Sequence, residues 1–148
     1  MNTFVEFRCG LLELKSFAKR LAIKAKPGEI YLLSGDLGVG KTTFSRFFIK
    51  ALFDVHQIPR PKKIKSPSYP VLINYPLLTY EVYHYDLYRI KNINELVEID
   101  FFENHKKNLS IIEWPEIIIK NFKLRNYHII NFLFIDSSIR KINHQYFK

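Results

Sequence analysis

The chain is short of cysteine, acidic side chains and long apolar runs, and each shortage excludes something. Cys9 is its one cysteine, so an internal disulfide and a cysteine-based zinc site are excluded. That suits a reducing, cytoplasmic setting. No apolar stretch approaches the ~18 residues that a membrane span needs, and no membrane role is expected. Met1–Phe7 carries Glu6 and lacks an apolar core, unlike a secretory leader. Asp and Glu number 14 against 23 Lys and Arg, a net charge of +9. A basic chain suits nucleic acid or another polyanion. Arginine is scarce beside lysine, however, and Lys, Asn and Ile are abundant throughout. Compositional drift toward AT-rich codons produces the same pattern.

What is present fits one domain. The 148 residues are 47% hydrophobic, enough for a single core, and a domain near this size buries roughly 70% of its unfolded surface. Thr3–Arg8 alternates like a strand. Leu11, Leu14, Phe17, Leu21 and Ala25 recur near helical spacing, and Lys26-Pro27-Gly28 ends that helix. Glu29–Ser34 is apolar almost throughout, as in a buried parallel strand. Lys41 to Phe53 reads as a second helix. Val71–Asn74 and Leu78–Tyr85 read as strands around a turn at Tyr75-Pro76. Asn94–Asp100 reads as a short helix, and Asn108–Trp114 as a buried strand stopped by Pro115. Tyr127–Ile135 is a last long strand, with Ile139–Ile142 able to pair with it.

Between the second strand and the second helix lies Gly35-Asp36-Leu37-Gly38-Val39-Gly40-Lys41-Thr42, a full match to G-x-x-x-x-G-K-[ST]. Glycines allow the positive φ angles that turn successive backbone N–H groups inward, where they cradle phosphates. The helix starting near Lys41 adds its N-terminal dipole. Lys41 is positioned to reach the β- and γ-phosphates, and the Thr42 hydroxyl to ligate Mg²⁺. A strand before the motif and a helix after it are the context the motif requires.

Such a site also needs a carboxylate at the end of a neighbouring strand. Ile111-Ile112-Glu113-Trp114 supplies one, with a solvated strand end as the plainer alternative. His84-Tyr85-Asp86-Leu87-Tyr88-Arg89 supplies another. Asp86 is a candidate to position an attacking water or to stand behind the Mg²⁺ ligands. Arg89 either contacts phosphate or neutralises Asp86, and His84 alone carries little. Ser66-Pro67-Ser68-Tyr69 places two hydroxyls on a rigid turn suited to sensing a γ-phosphate.

In this order, GDLGVGKTTFSRF, KSPSY, VYHYDLYRI with NELVEIDFF, and IIEWPE resemble the TsaE family, small bacterial P-loop ATPases of tRNA threonylcarbamoyladenosine biosynthesis. The resemblance implies a three-layer α/β fold of P-loop NTPase type with a mixed parallel and antiparallel central sheet, residues 1–148 forming a single ATPase domain. It implies ATP or ADP and Mg²⁺ as ligands, slow hydrolysis by the chain alone, and action with TsaB and TsaD rather than formation of the modification itself. It assigns the phosphates to Gly35, Asp36, Leu37, Gly38, Val39, Gly40, Lys41, Thr42 and Thr43. It assigns Mg²⁺ to Thr42 and Glu113, catalysis to Asp86 with Lys41, and the γ-phosphate switch to Ser66 and Ser68. Leu11 lies where the family places the adenine, and Trp114 supports the site or a partner surface.

Leu14 and Pro70 depart from that pattern, where small polar residues are common, and Phe53–Lys63 is longer and more basic than expected. Two other functions fit parts of the sequence. A small-molecule kinase shares the P-loop, but Leu87–Lys107 has one arginine, Arg89, and no glycine-rich lid. A basic RNA-binding protein with an incidental P-loop would use Lys62, Lys63 and Lys65 beside Tyr69, and a weak tRNA contact by the ATPase would use the same residues.

Overall fold

The computed structural model describes residues 3–148. Met1 and Asn2, at the head of the segment read as lacking a leader, lie outside the described residues. No helix is long and apolar enough to cross a membrane among the described residues.

In chain order the elements are β1 (Thr3–Cys9), α1 (Leu11–Lys24), β2 (Ile30–Ser34), α2 (Lys41–Val55), β3 (Leu72–Pro76), β4 (Glu81–Asp86), α3 (Asn94–Glu98), α4 (Phe101–Asn104), β5 (Leu109–Glu113), α5 (Glu116–Asn121), β6 (Tyr127–Phe134) and β7 (Arg140–Phe147). The strands form one sheet in the order β1-β7-β6-β2-β5-β4-β3. Four central strands, β6, β2, β5 and β4, run parallel. The β3, β7 and β1 strands add antiparallel margins. The sheet is therefore mixed, as the sequence implied.

Alternation within β2 builds both cores. Tyr31 and Leu33 pack toward α1 and α2, together with Phe17, Phe44 and Phe48. Ile30 and Leu32 pack the other way, with Leu96, Phe101 and Ile118 of α3, α4 and α5. A parallel strand covered on both faces reads as continuous apolar sequence for this reason. The result is three layers, helices on each side of the sheet. Parallel strands also end together, so Ser34 of β2, Asp86 of β4 and Glu113 of β5 finish along one rim. Ligands of open α/β sheets bind at that rim.

Several boundaries differ from the sequence reading. Tyr75 and Pro76 lie inside β3, and the hairpin turns later, where the Leu77 N–H donates to the Tyr80 carbonyl (2.9 Å). A proline is tolerated there because β3 is an outer strand. Pro115 does stop β5, but it also opens α5, a helix the sequence reading lacked. Proline suits a helix start, where its missing N–H has no partner in any case. The last strand is eight residues long and pairs with both β6 and β1. Leu11 stands outside the apolar stripe of α1 and is 62% exposed.

Candidate active site

The loop between β2 and α2 wraps the end of the sheet. Gly35 has φ +141°, and a Cβ there would lie 2.5 Å from the Phe132 carbonyl. Only glycine lets the chain pass β6 so closely. Gly38 and Gly40 have φ +75° and +121° and face open space. α2 starts at the edge of that space.

Lys41 is 4% exposed. Its ammonium donates to the Gly35 carbonyl (2.6 Å) and the Asp36 carbonyl (2.9 Å) and lies 4.0 Å from the Trp114 ring centre. Burial lowers its pKa, and the nearby Glu113 and Asp86 carboxylates oppose that shift. Thr42 donates its hydroxyl to Glu113 Oε2 at 2.7 Å, joining the loop to the end of β5.

Glu113 is the best-held carboxylate in the molecule. Besides Thr42, its Oε1 accepts from the Ser45 hydroxyl (3.2 Å) and lies 2.8 Å from His84 Nε2. Burial acts against its charge, yet the His84, Thr42 and Ser45 contacts outweigh that and hold its carboxyl below the usual range. Since Glu113 is an acceptor when charged, His84 must carry its proton on Nε2. Nδ1 of His84 is buried without a partner, consistent with that tautomer.

Asp86 stands beside Glu113 in the β4–β5 register. Its Oδ2 accepts from Ser68 (2.8 Å) and its Oδ1 from the Tyr88 N–H (3.1 Å). Ser66 bonds only Ser68 at this turn, hydroxyl to hydroxyl at 2.7 Å. A cavity of about 160 Å³ is lined by Leu37, Gly38, Gly40, Lys41, Thr42, Thr43, Ser68, Asp86, Glu113 and Trp114. Next to it, a cavity of about 570 Å³ is lined by Leu11, Leu14, Val39, Gly40, Thr43 and Arg140 among others.

Most of the sequence-predicted residues therefore converge on two adjoining cavities. Gly35 and Asp36 stand behind the first and contribute carbonyls to Lys41. Ser66 lies outside it and acts on it through Ser68. Leu11 and Leu14 line the second cavity, although the Leu14 side chain is mostly core. Arg89 neither pairs with Asp86 nor lines the cavity. Its guanidinium lies over the Tyr69 ring at 4.5 Å.

Sequence reasoning missed Ser45 and Arg140 and underweighted His84. Ser45 had a faint signal, three residues past Thr42 on one helix face. Arg140 had none. It lies 100 residues from the loop in sequence, yet its Nε donates to the Val39 carbonyl at 2.9 Å.

Mg²⁺ and a nucleotide fit these groups. No cluster of three or more His, Cys, Asp or Glu is placed to hold a metal among the described residues. One hydroxyl and one carboxylate beside a phosphate cradle is the donor set Mg²⁺ takes when phosphates and water complete its shell.

A glycine loop capping a central parallel strand, with carboxylates at the ends of the next two strands on one side, β5 and β4, is the architecture of the P-loop α/β class. The family model described as threonylcarbamoyl adenosine biosynthesis protein TsaE matches residues 11–142. The chain belongs to the TsaE family. It is 45% identical over 106 residues to a Rickettsia typhi protein named tRNA threonylcarbamoyladenosine biosynthesis protein TsaE, covering 72% of this chain and 70% of the relative. A Bacillus subtilis protein of the same name is 34% identical over 106 residues, covering 72% and 63%. The crystal structure of Bacillus subtilis YdiB superposes with a TM-score of 0.70 at 26% identity, covering all of this chain and 88% of that one.

Proposed function

We propose that this chain is the ATP-binding and ATP-hydrolysing component of tRNA threonylcarbamoyladenosine biosynthesis, acting with TsaB and TsaD. The observation that carries the ATPase reading is the Thr42–Glu113 hydrogen bond at the mouth of the glycine cradle. It joins the two groups that a triphosphate-bound Mg²⁺ needs, on separate elements. The relatives' names support the pathway.

The residues would act as follows. Backbone N–H groups of Gly38 to Thr43 hold the phosphates. Lys41 leaves the Gly35 and Asp36 carbonyls to neutralise the β- and γ-phosphates. Thr42 and Glu113 would hold Mg²⁺, which would supply charge neutralisation at the phosphates. Asp86 keeps lone pairs free toward the cavity and orients a water for in-line attack. Ser68 holds Asp86 and reports its state to the Ser66–Tyr69 turn. Leu11 and the second cavity take the adenine. Among the described residues no arginine lines the first cavity. A missing arginine finger leaves hydrolysis ~10³–10⁵-fold slow in related proteins, which fits a chain that needs partners for full turnover.

The test is ATP hydrolysis by the chain alone, then with TsaB and TsaD, with and without Mg²⁺. The expected result is slow Mg²⁺-dependent turnover that rises with partners and disappears in Lys41→Ala. Phosphorylation of a small acceptor instead of water would transfer the assignment to a kinase. Nucleotide-independent, salt-sensitive tRNA binding as the sole activity would transfer it to an RNA-binding protein.

A further inference from the structure

The two margins of the sheet are built differently. β3 is five residues long and ends in Pro76, a device that blunts an outer strand. β1 is seven residues long and contains no proline. Among the described residues no strand lies on its outer side, so a row of backbone N–H and C=O groups is open to a further strand. Beside it, between β1 and α1, runs a cleft of about 920 Å³. Val5, Phe7, Leu12 and Leu21 supply apolar walls, and Leu12 is 76% exposed.

The charge around the cleft is one-sided. Arg8, Arg20 and Lys24 line it, and none makes an ion pair with a carboxylate among the described residues. Its one carboxylate, Glu13, accepts the Gly10 N–H at 3.0 Å and so faces the start of α1. A phosphate-rich ligand would leave the open backbone edge of β1 without a partner. A second copy of the chain would bring Arg8, Arg20 and Lys24 of both molecules together on a protein of net charge +9.

We propose that this cleft receives an extended, acidic segment of a partner protein, added to β1 as a further strand. Strand addition takes affinity from main-chain hydrogen bonds and specificity from alternate side chains. Apolar side chains of the segment would enter between Val5, Phe7, Leu12 and Leu21. Its carboxylates would meet Arg8, Arg20 and Lys24. The cleft shares one lining residue, Glu13, with the second cavity, and the proposal does not depend on what that cavity holds.

The probe is a fluorescein-labelled peptide of alternating Glu and Val, compared with one of alternating Lys and Val, on the full chain at physiological salt. The Glu–Val peptide should bind and the Lys–Val peptide should not. Amide exchange should slow at residues 4–8. Arg20→Glu/Lys24→Glu lies on an exposed helix face and should weaken binding about tenfold, and Leu12→Glu should weaken it independently. Four outcomes overturn the proposal: no binding, equal binding of both peptides, unchanged affinity in the two variants, or protection away from β1. Displacement of the peptide by single-stranded RNA would point to a nucleic-acid surface. Sedimentation as a dimer that Leu12→Glu dissolves would point to a second copy.

Discussion

Glu113 illustrates how a single carboxylate is kept charged where burial disfavours it. Three donors from two elements converge on its two oxygens: Thr42 and Ser45 from α2, and His84 from β4. If His84 serves only to fill space, His84→Phe should be nearly neutral. If it positions Glu113, His84→Phe should weaken Mg²⁺ affinity in the nucleotide complex by about 10–100-fold, while nucleotide binding without Mg²⁺ changes little. His84→Gln, which keeps a donor, should recover part of the loss, and Mg²⁺ titration of a fluorescent ATP analogue reads all three proteins. Gly35 is tested differently. A side chain there meets the Phe132 carbonyl at 2.5 Å in a backbone region costly to other residues. Gly35→Ala should cost about 1–3 kcal/mol, seen as a lowered unfolding midpoint with nucleotide absent.

The layer opposite the P-loop helix is made of short helices. α3 has five residues and α4 four, too few to persist by themselves. Each is held by what it buries, Leu96 for α3 and Phe101 for α4. Leu96 is fully buried, so Leu96→Ala should cost about 2–5 kcal/mol. Hydrogen exchange should accelerate first at residues 94–104, with α2 protected longer. Uniform acceleration across the chain would show that this layer is not a separate unit. Of the two, α3 falls inside the helix read at Asn94–Asp100, while α4 marks where pattern reading ran out. Lys41–Val55 has a stripe long enough to read, with Phe44, Phe48, Ile49 and Leu52 buried. One buried residue in a four-residue helix gives no period to detect.

At the scale of the whole molecule, a buried histidine pair on β6 and β7 is one source of acid sensitivity. His144 of β7 and His128 of β6 are buried and linked by a 2.9 Å hydrogen bond between ring nitrogens. His128 stacks on Tyr31. Burial, with the neighbouring His128, lowers the His144 pKa to about 4 from 6.5. The unfolded chain therefore binds the extra proton first as pH falls. The contribution of His144 is fully present above pH 6.5 and is lost as pH drops toward 4, by about 1–3 kcal/mol. Urea unfolding between pH 7 and 4 should show this decline, and His144→Gln should flatten it. An equal slope in the variant would assign the acid sensitivity to other groups.

The sequence by itself determined the P-loop, its strand and helix, the mixed three-layer architecture and the identities of Lys41, Thr42, Asp86 and Glu113. The loop and the strands are written in contiguous residues: eight for the loop, five or six for each strand that ends at the site. It did not determine which side chains surround those groups. The Ser45–Glu113, His84–Glu113 and Arg140–Val39 contacts join residues 68, 29 and 101 positions apart, and no local pattern records such separations. Of its two readings of Arg89, the pairing with Asp86 does not form, because the guanidinium lies over Tyr69 instead. Only the sheet, by setting β2, β4 and β5 parallel and level at their ends, turned four short motifs into one site.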